Sequence, residues 1–249
     1  MSGHSKWATI KRAKGKADAA RGKLFSRLIR EITIAARMGG GDPDANPRLR
    51  SAVNNARNNN MPNKNIENAI AKGTGQIDGV SYEEITFEAY GPGGVAIVIE
   101  SMTDNKNRTV AEVRHVITKA GGNIGAPNSV MWMFHSKGYL TVPKDAADEE
   151  KLMELVLEAG AEDMVEEGDV FEITTPPDAF EEVRSALTKV GITPASAELT
   201  KVPENSVKVE GENVSKILRL MNDLDDLDDT QNVYGNFDIS EEDMKKYAG

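Results

Sequence analysis

The sequence predicts an α+β multidomain fold: an N-terminal three-helix bundle with a basic arm, then two α+β domains of ferredoxin-like type, the second inserted into the first. Three observations carry this expectation. Apolar residues recur at helical spacing as far as Gly73 and, past Gly79, at strand spacing between turn residues. From Lys137 onward the strand and helix signals follow the order βαββαβ. Charge divides where the texture does. Residues 1–77 hold fifteen Lys/Arg against five Asp/Glu, whereas residues 78–249 hold fifteen against thirty-five, so the net charge of −10 hides a basic front and an acidic remainder.

Residues 1–22 show no hydrophobic period and are read as an arm. A helix starts near Gly22. At about 100° per residue, Phe25, Leu28, Ile29, Ile32 and Ala36 share one side. Lys23, Arg27, Arg30 and Arg37 fall opposite, with Ile34 a misfit among them, and Gly39-Gly40-Gly41 ends the helix. Pro47 suits the first position of the next helix, whose buried stripe is Leu49, Ala52, Val53 and Ala56. The run Asn58 to Pro62 breaks it, and a third helix with Ile66, Ala69 and Ile70 closes at Gly73.

Ile85–Tyr90 and Val95–Glu100 read as a hairpin across Gly91-Pro92-Gly93-Gly94. A helix with Val110, Val113 and Ile117 follows from about Asn107, and Val130–Phe134 is expected as a strand. The βαββαβ run comprises strands at 139–142, 163–166, 170–174 and 197–201 with helices at 149–159 and 178–190. A helix at 211–224 and a strand near 232–237 complete the chain. Taken alone, the segment before the run lacks a closing helix and strand, and the tail lacks a sheet. The expected domains are therefore a basic helical nucleic-acid-binding domain (1–79), a split middle domain (80–135 plus 205–240), an inserted domain (136–204) and a tail (241–249).

Several function classes fall away at this level. Without cysteine there are no disulfides, thiolate zinc sites or cysteine nucleophiles. No stretch approaches the roughly 20 apolar residues of a membrane span, and the first residues lack the apolar block of a secretory signal, so a cytoplasmic protein is expected. His4, His115 and His135 are scattered, and neither H-E-x-x-H nor G-x-S-x-G occurs. Gly91-Pro92-Gly93-Gly94 lies between strands and lacks the Gly-Lys-Ser/Thr ending of a phosphate loop. The acidic run Asp223, Asp225, Asp226, Asp228 and Asp229 lacks the glycine and terminal glutamate of a calcium loop. It is read as solvated surface, with docking against the basic arm and metal binding as alternatives. Neither an enzyme nor a cofactor, small-molecule substrate or membrane partner is expected.

What remains is the basic front. Cations clustered on an arm and a helix neutralise phosphates and release condensed counterions, which gives sequence-independent affinity for nucleic acid. The candidate contacts are His4, Lys6, Trp7, Lys11, Arg12, Lys14, Lys16, Arg21, Lys23, Arg27, Arg30 and Arg37, continued by Arg48, Arg50 and Arg57. Trp7, among lysines and an arginine, can stack on a base. The alternatives are a solvated basic tail with Trp7 packed on the bundle, or an acidic protein or lipid as partner. Asparagine reads adenine bidentately, yet asparagine runs more often cap and break helices, so Asn54, Asn55, Asn58, Asn59 and Asn60 are taken as loop residues. Asp104 or Asn105 is expected to cap the following helix, with partner contact at Asp104–Arg108 as the other reading.

A set of motifs gives this front a family. Gly3-His4-Ser5-Lys6-Trp7 with Ile10-Lys11, Arg21-Gly22-Lys23, Gly39-Gly40-Gly41-Asp42-Pro43, Asn46-Pro47-Arg48-Leu49-Arg50 and Asn60-Met61-Pro62 resembles the YebC family. Tyr90-Gly91-Pro92-Gly93-Gly94, Thr103–Thr109 and Asp228–Tyr234 are similar to later blocks of that family, so the resemblance runs nearly end to end. It implies a helical N-terminal domain followed by two α+β domains, and a cytoplasmic, DNA-binding transcriptional regulator. Mitochondrial relatives are translational activators of cytochrome c oxidase subunit I, and some bacterial members associate with the ribosome. The implied partner is DNA, RNA or both. Asn128 stands where glycine is commoner in the family, and Thr230 where valine is commoner.

Overall fold

The structure, a computed structural model, describes residues 17–240, 242, 243 and 246, with side chains described from Arg21 onward. The architecture is mixed α+β, and the chain divides into two compact units: residues 131–206, and the segments that precede and follow them. No helix among the described residues is long and apolar enough to cross a membrane.

In the larger unit, helix α1 spans Ala17–Gly39, α2 Pro47–Asn58 and α3 Asn63–Gly73. The first begins five residues earlier than the apolar period indicates, because Ala17, Ala19 and Ala20 favour helix without contributing to a stripe. The three pack around Leu28, Ile32, Ala36, Leu49, Val53 and Ile66, with Ala52, Ala56 and Ala69 permitting close approach. Asn46 pins the junction. It is buried, its Oδ1 accepts from the Leu49 amide (3.1 Å), and its Nδ2 donates to the carbonyls of Ala35 (2.8 Å) and Gly40 (2.9 Å). A Cβ on Gly39 would lie 2.6 Å from this side chain, so Asn46 requires the glycine, while the left-handed Gly40 ends the helix.

The same unit holds a sheet of order β3-β1-β2-β9, built from β1 (Glu83–Tyr90), β2 (Ala96–Thr103), β3 (Asn123–Ile124) and β9 (Thr230–Gly235). Its pairings are antiparallel, with Phe87 opposite Ile99 and Tyr90 opposite Ala96 in the hairpin. The hairpin turn needs glycine, since Gly93 and Gly94 both have φ of 78°. Helices α4 (Lys106–Lys119) and α7 (Glu212–Asp225) share one face, where Val113, Ile117, Ile217 and Met221 meet Phe87, Ala89, Ile97 and Ile99. Asn105 caps α4 by accepting from the Arg108 amide. The short strands β8 (Val207–Lys208) and β10 (Phe237–Asp238) pair in parallel.

The strand expected over Val130–Phe134 is not formed. Residues Met131–Met133 make a single 3₁₀ turn, and Phe134 opens the next strand. The buried carboxylate of Glu88 accepts from the amides of Asn128 and Val130, so donors that a neighbouring strand would need are already used. Asn128 itself has φ of 64°, a left-handed conformation that favours glycine and that asparagine also adopts.

The unit of residues 131–206 contains β4 (Phe134–Pro143), α5 (Glu149–Glu158), β5 (Asp163–Glu167), β6 (Val170–Thr175), α6 (Phe180–Lys189) and β7 (Ser196–Pro203). Its antiparallel sheet runs β5-β6-β4-β7, which places the first and third strands centrally as the ferredoxin-like order requires. Leu152, Val156, Val183 and Leu187 cover Leu140, Val142, Phe171 and Ile173.

Candidate nucleic-acid interface

Helix α1 carries two faces, and both are used. One builds the bundle. On the other, Arg27, Arg30, Ile34 and Arg37 recur at helical spacing, and Ile34 is 1% exposed, so this face is covered. The loop between α7 and β9 does much of the covering. Lys23 Nζ lies 3.0 Å from Asp226, and Arg27 Nη2 donates to the Asp225 carbonyl (2.6 Å) while lying 3.1 Å from its carboxylate. Arg30 donates to the Asp228 carbonyl, approaches Asp229 Oδ1 at 3.4 Å and stacks over the Tyr82 ring. Arg37 donates to Ser81 Oγ and to the Tyr82 carbonyl. Cations meeting the C-terminal end of α7 also complement its dipole.

A buried network holds this acidic loop from behind. The Asp229 side chain, 2% exposed, accepts from Thr103 Oγ1 (2.9 Å), Thr109 Oγ1 (2.8 Å) and Arg108 Nη2 (2.6 Å). Burial alone would push its carboxyl up, but the hydrogen bonds from Arg108, Thr109 and Thr103 hold it below the ordinary carboxylate range. Hydrogen bonds to Asp229 and Asp104 raise the Arg108 guanidinium in turn. The blocks Thr103–Thr109 and Asp228–Tyr234, far apart in sequence, thus meet at one carboxylate. Beside it lies an open cavity of about 320 Å³ lined by Arg30, Tyr82, Asp104, Arg108, Glu112, Asp228 and Asp229. Guanidiniums and carboxylates neutralise each other there, and no described group of His, Asp and Glu is arranged to hold a metal.

The reading of residues 223–229 as solvated surface is therefore corrected in part: Asp223, Asp226 and Asp228 are exposed, but Asp225 and Asp229 are buried, and with Asp226 they pair with cations of α1. Charge patterning could not decide this, because a solvated and a docked acidic run have the same composition. The misfit Ile34 was the available signal.

The candidate contacts divide three ways. His4, Lys6, Trp7, Lys11, Arg12, Lys14 and Lys16 lie outside the described residues. Lys23, Arg27, Arg30 and Arg37 turn onto the protein's own acceptors, and Arg48 bridges Glu31 (2.7 Å) and Glu84 (2.6 Å), hydrogen bonds that raise its guanidinium further. Arg21, Arg50 and Arg57 are exposed and have no side-chain partner among the described residues. The asparagines expected in a loop lie largely within α2: Asn54, Asn55 and Asn58 are helical, and only Asn59 and Asn60 follow its end.

Fold and site together define a multidomain α+β protein with a basic helical module clasped by an acidic loop. The chain matches the family model for the TACO1/YebC protein N-terminal domain over residues 5–76 and that for the TACO1/YebC second and third domain over residues 82–237, and it belongs to this family. A relative from Desulfatibacillum aliphaticivorans, named probable transcriptional regulatory protein, is 57% identical over 97% of this chain and 98% of its own. One of the same name from Geobacter sulfurreducens is 57% identical over 99% of both chains. The crystal structure of a conserved hypothetical protein from Aquifex aeolicus is similar with a TM-score of 0.79, at 48% identity over 91% of this chain and 93% of that one.

Proposed function

We propose that this chain is a non-enzymatic, nucleic-acid-binding regulator of gene expression, with the helical module and its arm as the contact surface. The observation that carries the reading is the positive charge left over after internal pairing. Four cations of the module are paired with carboxylates within the protein and Arg37 donates to neutral oxygens, yet Arg21, Arg50 and Arg57 remain exposed, and residues 1–16 add five Lys/Arg and no carboxylate. Uncompensated cations of this density seek a polyphosphate. The name carried by the relatives supports regulation, and its first form is a cytoplasmic, DNA-binding transcriptional regulator.

A second form, binding of RNA or the ribosome in translation, is favoured by one specific observation. A helix that reads a DNA groove needs its polar side chains facing outward, whereas α1 turns four cations inward. Crosslinking in growing cells, with sequencing of both attached DNA and attached RNA, separates the two forms. Alanine at Lys11, Arg12, Lys14 and Lys16 together is expected to weaken binding and to flatten its salt dependence by about one unit per lost phosphate contact. Unchanged affinity in that variant rejects the arm as a contact.

A further inference from the structure

Helix α2 is the one described helix without a carboxylate, and part of its composition has no internal explanation. Asn55 accepts from the Asn59 side chain, and Asn60 takes the left-handed conformation that ends the helix, so these two are accounted for. Asn54 and Asn58 are not. Asparagine is a poor helix former, yet both sit in α2, exposed, with no hydrogen-bond partner for their side chains among the described residues. Arg50 and Arg57 are equally exposed and unpartnered. At about 100° per residue the four fall within one arc of roughly 100° opposite the buried stripe, and the two arginines stand about 10 Å apart along the axis. A locally unfavourable choice with no compensation inside the chain marks a functional surface.

We propose that this stripe, Arg50–Asn54–Arg57–Asn58, lies along an RNA backbone, with the guanidiniums on phosphates and the amides on ribose 2′-hydroxyls. The inference rests on the nucleic-acid reading above and takes its RNA form. Two features favour RNA over a DNA groove. Helix-turn-helix proteins lead into the major groove with the N-terminal end of the recognition helix, but the exposed Asp42 and Asp44 precede that end of α2, and Glu84 flanks it beside Arg48. These carboxylates oppose insertion between two walls of phosphate and leave the outer stripe free to rest on one backbone. The amides supply both a donor and an acceptor, which matches the 2′-hydroxyl, the group that separates RNA from DNA.

The test uses the full chain, an RNA hairpin, and a DNA duplex of the same sequence, with binding followed by anisotropy across a salt series. Asn54→Ala with Asn58→Ala is expected to lower RNA affinity about tenfold with an unchanged salt slope. Its thermal stability should not fall, since alanine is the better helix former. Arg50→Ala with Arg57→Ala is expected to weaken RNA binding and flatten the slope by about one to two units. If the asparagine variant keeps full RNA affinity, or loses DNA affinity equally, the assignment is overturned. If the wild-type chain retains neither probe at low salt, the nucleic-acid reading itself fails, which is a distinct result.

Discussion

Helices α1 and α2 carry similar cationic side chains and use them in opposite ways. On α1, Lys23, Arg27, Arg30 and Arg37 are satisfied by the loop after α7 and by the residues leading into β1. On α2, Arg50 and Arg57 have no such partner among the described residues, and the carboxylates nearby are held by Arg48 or lie at the helix start. A cation's availability therefore depends on what the fold sets against it. On α1 the positive charge joins distant segments of one compact unit; on α2 it remains open to another molecule.

The sharpest way to break this contrast is to remove the carboxylate behind the clasp. Asp229→Ala removes the acceptor of the buried Thr103 and Thr109 hydroxyls and the carboxylate beside the largely buried Arg30, and the expected loss is about 3 kcal/mol, read by urea unfolding. A loss below about 1 kcal/mol, within the range of a surface ion pair, would mean that the clasp does not hold α1. Asn46→Ala removes a helix cap and two buried hydrogen bonds, with an expected cost of about 2 kcal/mol in the same assay.

Comparing one arginine from each helix sharpens the contrast directly. Arg30→Ala is expected to cost about 1–2 kcal/mol of stability, because the side chain is largely buried among its acceptors. Arg50→Ala should change stability by less than about 0.5 kcal/mol and show its effect in nucleic-acid binding. Equal stability losses would erase the distinction. Acid tests the same clasp: because the Asp229 carboxyl titrates below its ordinary value, its contribution is intact above about pH 4 and is lost as the pH falls further. In Asp229→Asn that part of the acid dependence should vanish. An effect of opposite sign is expected at Thr230, whose buried Oγ1 has no hydrogen-bond partner among the described residues; Thr230→Val should stabilise by up to about 1 kcal/mol in thermal melts.

Much of the fold was legible because its signals are local. The stripe Leu49, Ala52, Val53 and Ala56 and the αβ order from Lys137 to Lys201 follow from side-chain periods of 3.6 and 2. The misreadings share a cause. Val130–Phe134 has the composition of a strand, but Glu88, some forty residues away, takes its backbone donors. Asn54 and Asn58 look like loop residues, but the packing of the α2 stripe keeps them helical.

By itself, the sequence determined most of the segments that become helices and long strands, the split between a basic front and an acidic remainder, and the family. Only the tertiary structure decided which cations are spent, since Lys23 and Asp226 lie 203 positions apart and nothing local to either marks the pairing. Burial and helix formation follow from neighbours along the chain, whereas charge compensation depends on which distant segments the packing brings within a few ångströms.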